Sequence, residues 1–357
     1  MTDKKGLALS ALAIGSLPCT DVDKAMNLIK ENFYEIPFWA QLSKFNNNEN
    51  MTVQFLENLA GCRVNDNGES FLDSESDEFY SELEQLYLDF EEVISNKNLK
   101  VLDKYAISVE YSSTFYRFLD LVKTLKPKYA KGQIIGPFTL ATTLTDKTRK
   151  CAYYDSTLRD VIEKHLTLKA LWQIYKIKEA SFDTEPIIFM DEPSLSQLRT
   201  SAYITINPAE PVQQIKNISD IIKKHGAISA VHCCGRCDWE NLIKSDCDII
   251  NFDAYSHFEH FVLFLDSIKS YVENGGRIAW GLVPTLNKSA LEVETVTSLK
   301  NKFENIIQTL VDNNFSKDLL LKNSLISPSC GCASLTEDLA EKAMRLTKEL
   351  SLRIKEG

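Results

Sequence analysis

The sequence predicts an α/β protein, a single (β/α)₈ TIM barrel over 1–357 with an N-terminal polar insertion at about 44–80 over the barrel mouth. Three observations carry this. Short apolar runs alternate with long segments bearing apolar residues at i, i+3, i+4 and i+7, as strands alternating with amphipathic helices do. The alternation fills roughly the last two-thirds of the chain, which argues for parallel βαβ units. The 357 residues suit one barrel, with no repeat, low-complexity tract or linker to divide them. A doubly wound open sheet is the runner-up.

In chain order, apolar runs predict strands over 7–14, 129–135, 186–190, 227–233, 248–252, 277–280 and 324–326. An eighth is expected near 105–109, because a closed barrel needs it. The periodic stretches "DVDKAMNLIKENF" (21–33), "TLRDVIEKHLTLKALWQIYKIKEASF" (157–182), "VQQIKNISDIIKKH" (212–225) and "TSLKNKFENIIQTLVDNN" (297–314) predict helices. Residues 44–80, rich in Asn, Asp, Ser and Glu, break the rhythm and predict an insertion or short hairpin. The N-terminus imitates a signal peptide, with two lysines before an apolar segment. Gly15 and Pro18 interrupt that segment and no clean cleavage site follows, so it reads as a first buried strand.

Composition narrows the function classes. A net charge of −10 without a long basic run disfavours a nucleic-acid surface and an anionic membrane partner. No apolar stretch reaches membrane-spanning length. Nine cysteines, an odd number, suit a reducing cytoplasmic setting, where thiols more often serve metals or catalysis than disulfides.

In a parallel barrel, functional side chains gather where the strands end. Those ends read "IGSLP" (14–18), "IGPFT" (135–139), "FMDEPS" (189–194), "VHCCG" (231–235), "NFDAY" (251–255), "WGLVP" (280–284) and "SPSCGC" (327–332). Each is a burst of polar, Gly or Pro residues after an apolar run. His232 and Cys234 are two apart, so the period of a strand aims both one way and Cys233 the other. Cys330, at the end of the last strand, offers a third soft ligand. One imidazole and two thiolates make a zinc site with a position left open for substrate, the catalytic pattern. Three other readings stand beside it: thiols buried as core residues, a redox pair of Cys234 and Cys237, and a four-cysteine structural site of Cys234, Cys237, Cys330 and Cys332.

Taken as an ordered series from Ile14 to Gly331, these strand ends resemble the C-terminal catalytic barrel of cobalamin-independent methionine synthase. More broadly they are similar to the superfamily it shares with uroporphyrinogen decarboxylase and the corrinoid-dependent methyl-thiol methyltransferases. The resemblance rests on "IGSLP", "IGP", "MDEPSL", "HCCG" and "SPSCG". It implies zinc ligands at His232, Cys234 and Cys330. It implies an amino-acid carboxylate held around Ile14, Gly15 and Ser16, and an ammonium taken by Asp191. Where that enzyme has a Glu zinc ligand, this chain has Asp253, one methylene shorter, which implies a catalytic role beside the metal or a weak hold on it. The full-size enzyme also carries a duplicated N-terminal barrel that these 357 residues do not include.

The resemblance implies a zinc-dependent thiol S-methyltransferase, with homocysteine the first acceptor expected. The methyl donor is a folate or a methylated corrinoid, the latter presented by a corrinoid protein. The acceptor is a small-molecule thiol, and neither nucleic acid nor membrane is a partner. The "DEP" carboxylates are expected to orient the substrate. Two alternatives are a methylcobamide:thiol methyltransferase with another thiol, and a metal-free decarboxylase. The decarboxylase would need arginines at the mouth, where Arg236 is the main candidate.

Overall fold

The structure is a computed structural model that describes residues 6–65, 67–198 and 200–356. Its centre is a curled parallel sheet of six strands. A two-stranded hairpin, β1 (Cys62–Val64) and β2 (Ser70–Leu72), precedes it as a separate sheet, with Leu72 also bridging Asp146. The sheet then runs β3 (Tyr129–Ile135), β4 (Glu185–Asp191), β5 (Ile228–Cys233), β6 (Ile249–Phe252), β7 (Arg277–Val283) and β8 (Ser324–Pro328). Spatial order equals chain order, and every pairing in it is parallel.

Period-two alternation along these strands divides the apolar residues into two layers. Ala130, Ile134, Met190, Val231, Cys233, Phe252 and Trp280 join helix residues such as Trp172, Ile215 and Leu299 in the larger core. Tyr129, Ile187, Phe189, Ile228, Ala230, Ile249, Ala279 and Leu325 form a second core that contains no helix residue. The second lies on the concave side of the curl. It is closed by Leu12 and Ile36 from the N-terminal segments.

Two expected strands are absent as such. Residues 7–14 touch the sheet through one parallel bridge, Ala11 to Ile326, with Leu9 N and Leu12 N donating to Ser324 O and Ile326 O. The cause is local: Leu9 has φ of 58° and Gly15 of 103°, and neither extends a pleat. The strand expected near 105–109 is not there either, since that segment follows the 3₁₀ helix Leu99–Tyr105. Its place beside β3 belongs to residues 37–41, where Phe38 bridges Lys131 and Trp39 N donates to Lys131 O. Gln41 then bridges Ser16. Two irregular segments therefore span the gap between β8 and β3.

The helices flank the sheet. Ser156–Ala180 is buried nearly all round because it is covered twice. Gln173 bonds both N–H and C=O of Gln133 on β3, while His165 Nε2 meets Phe55 O of the insertion. The insertion supplies the hairpin and the start of helix Asp77–Ile94, which packs on Ser156–Ala180. Helix Glu337–Lys355 closes the other side, against β7 and β8. Among the described residues no helix is long and apolar enough to cross a membrane.

Candidate metal centre

Sheet register builds the site. Asp191, His232, Asn251 and Ala279 are successive Cα partners on β4, β5, β6 and β7, so the first three stand side by side in one row. They occupy the concave parity, one step above the apolar Phe189 and Ala230. Cys234 is the first concave position beyond β5. Cys330 lies two residues past β8, in a loop pinned by reciprocal bonds: its N–H donates to Thr285 Oγ1 at 3.0 Å, and that hydroxyl donates to Cys330 O at 2.9 Å. The ligand atoms of His232, Cys234 and Cys330 all lie within 4.8 Å of one another.

The loops that carry the motifs interlock. Cys332 N donates to Ser16 O at 2.8 Å. A Cβ at Gly331 would sit 1.9 Å from Ser16 Oγ, so glycine there lets Ser16 press against the Cys330 loop. Across the sheet, Glu192 accepts from Phe138 N (2.9 Å), Thr139 N (2.8 Å) and Thr139 Oγ1 (2.6 Å), capping the helix Pro137–Thr143. A Cβ at Gly136 would meet Glu192 Cδ at 2.0 Å. "IGPFT" and "DEP" are thus two halves of one cap. Glu192 spends both oxygens on that cap, so of the two "DEP" carboxylates only Asp191 is left to face a ligand.

The donor set fits a soft divalent cation. Asn251 Nδ2 donates to Ala279 O and Ser327 Oγ, both at 2.8 Å, which turns its Oδ1 toward His232 Nδ1 at 2.5 Å. Nδ1 therefore carries the proton, and Nε2, buried and without a hydrogen-bond partner, keeps its lone pair for a metal. The sulfurs of Cys234 and Cys330 are close neighbours. The Cys330 thiol beside it draws Cys234 down to about 4, against the cost of burial and with help from His232. Cys330 is pushed up by its thiolate neighbour and by burial. Burial would lower His232, but the Cys234 sulfur and Asp191 raise it overall. A divalent cation would bind the thiols as thiolates, displacing their protons.

The remaining cysteines are sorted away from this group. Cys233 faces the sheet–helix core, where Cys237 and Cys332 are also buried. Cys237 neighbours Cys233, while Cys234 neighbours Cys330, so Cys234 and Cys237 do not form the redox pair and Cys237 and Cys332 do not complete a four-sulfur cage. Asp253 is buried and caps the helix Ala254–Phe261 through Ser256 N at 2.9 Å; it is not in the ligand cluster. Asp191 is buried with Oδ1 lacking any hydrogen bond, and burial raises its pKa. Ile14 is buried, Gly15 turns the chain, and Ser16 reaches the Cys330 loop. Arg236 is exposed.

Sequence reasoning passes over Asn251, Gln133 and Lys131. A signal exists: each is a polar residue at an inward-facing period-two position of an otherwise apolar strand, in "IINF" and "YAKGQII".

No family model matches the chain. The chain is 28% identical over 238 residues to methionine synthase of Methanocaldococcus jannaschii, an alignment covering 66% of this chain and 68% of that protein. This likeness supports kinship with methionine-synthase-like proteins.

Proposed function

We propose that this protein is a zinc-dependent thiol S-methyltransferase that methylates homocysteine, with a methylated corrinoid or a folate as donor. The observation that carries the reading is the convergence of His232, Cys234 and Cys330 from two distant strand ends. The relative's name, methionine synthase, supports the same reaction class. The order of the strands and the closing bridges support a (β/α)₈ barrel whose first two positions are irregular.

Bound at the three ligands, zinc would supply a Lewis acid that lets an acceptor thiol give up its proton at neutral pH. Two cysteine thiolates and one neutral imidazole would balance the charge of a divalent ion held there. The chain's own residues then do the positioning. Asp191, an unpartnered buried carboxylate beside His232, takes the acceptor's ammonium. The Gly15–Ser16 turn, locked to the Cys330 loop, takes its carboxylate. In the transfer one S–CH₃ bond forms at the acceptor and the donor's bond to that methyl breaks, the donor keeping the electron pair. Asp253, already committed to a helix cap, shapes the wall near Cys234.

The test is a matrix of zinc-loaded protein with several thiols against methyl donors of folate and corrinoid type, read by mass spectrometry. A gain of one methyl on homocysteine is expected. No methyl transfer to any thiol, from either donor, would overturn the reading.

A further inference from the structure

One charged group inside the curl has no part in the metal centre. Lys131, on β3, is fully buried. Its ammonium donates to Gln133 Oε1 at 3.0 Å and lies 4.7 Å from the centroid of the Phe189 ring. Among the described residues no carboxylate pairs with it. A buried ammonium with one neutral acceptor is costly, and burial draws it down to about 8, with Asp191 opposing from a distance. Packing alone does not call for such a group, since Met would fill a similar volume without the charge.

The bond to Lys131 settles how the Gln133 amide lies. With Oε1 taken by the ammonium, the NH₂ end donates one hydrogen to Trp39 O at 3.0 Å and has a second to give. The amide lies directly beneath Gly15. A Cβ there would be 3.1 Å from Gln133 Cδ and Nε2 and 3.2 Å from Oε1. On the neighbouring strand, Asp191 presents an unpartnered oxygen. The concave wall thus carries a buried cation with its polarised amide under the Gly15 turn, and a buried anion beside it. That is the complement of a zwitterion.

The geometry points to Lys131 and Gln133 as a second element that, with the Gly15–Ser16 turn above it, recognises the α-carboxylate of an amino-acid thiol, Gln133 offering a donor and Lys131 the charge behind it. This rests on the amino-acid-thiol reading above and extends it to a specificity-determining pair. Lys131 acts through Gln133 and is a positioning residue.

The experiment is calorimetric titration of zinc-loaded wild type, Lys131→Met and Lys131→Gln with homocysteine and with 3-aminopropane-1-thiol, which keeps the amine and thiol but lacks the carboxylate. Lys131→Gln keeps a donor for Gln133 and removes only the charge. Both variants should hold zinc as wild type does. They should bind homocysteine about 10- to 100-fold more weakly, the worth of one charge-assisted contact, and the carboxylate-free thiol unchanged. Equal weakening toward both thiols would mean a packing role and overturn the assignment. So would wild-type homocysteine affinity in Lys131→Gln. If wild type itself binds both thiols alike, the amino-acid reading fails and this pair falls with it, while zinc content and methylation of another thiol would still stand.

Discussion

His232 Nδ1 donates to Asn251 Oδ1 across 2.5 Å, and Asn251 cannot turn round, because its own NH₂ is held by Ala279 O and Ser327 Oγ. The strand after the histidine therefore decides which ring nitrogen faces the cysteines. An amide does this here instead of a carboxylate, so the orienting partner brings no charge of its own to the imidazole.

Replacing Asn251 with Leu should weaken zinc binding by about 10- to 100-fold, while Asn251→Asp should bind at least as tightly as wild type. Competition with a chromophoric chelator measures both. Equal affinity in wild type and Asn251→Leu would mean that His232 needs no such orientation.

The cysteines should separate cleanly by metal analysis. Wild type is expected to carry about one Zn²⁺ per chain, and Cys330→Ser or Cys234→Ser to lose it. The double variant Cys237→Ala, Cys332→Ala should keep full stoichiometry, since both thiols lie in the sheet–helix core, with about 1 kcal/mol of stability lost per truncated side chain. Zinc lost from that double variant would restore the four-cysteine site.

Asp191 and Glu192 are adjacent but should fail differently. Glu192→Ala removes the cap of Pro137–Thr143 and should cost about 2–3 kcal/mol in urea unfolding. Asp191→Asn relieves an unpartnered buried charge, so stability should match or exceed wild type. Homocysteine binding, by contrast, should fall about 10- to 100-fold in Asp191→Asn. A stability loss in Asp191→Asn with unchanged binding would make it a structural residue.

The interface between the insertion and helix Ser156–Ala180 should be acid-sensitive. His165 is fully buried, and burial, with Lys169 nearby, holds its pKa well below 6.5. The unfolded chain then binds a proton that the folded chain refuses. Stability is full above pH 6.5 and declines as pH falls below it, by up to about 1.4 kcal/mol per pH unit. Urea unfolding between pH 5 and 7 should show this slope in wild type and lose it in His165→Gln. An equal slope in both would place the acid sensitivity elsewhere.

Much of this molecule is legible in the chain alone. Strand β3 spans the expected 129–135, β4 extends one residue beyond expectation at each end, and β5 and β6 each begin one residue later than expected. Helix 156–180 begins one residue before its expected start. These succeed because a strand or helix buried on one face must repeat its apolar residues at that face's period. The same periodicity separates His232 and Cys234 from Cys233.

Other features cannot be read that way. Residues 7–14 look like a strand by apolarity, yet Leu9 and Gly15 adopt left-handed backbone that hydropathy does not register. The segment at 37–41 escapes notice because it contributes a few bridging bonds and no long run. Glu192 and Asp191 are indistinguishable as neighbours in "MDEPS"; only packing shows one carboxylate saturated by a helix end and the other bare. Local periodicity reports which face of an element is buried. It carries no record of which distant element arrives opposite, and for Asn251, Lys131 and Gln133 that arrival, set by sheet register and curl, decides which groups each one meets.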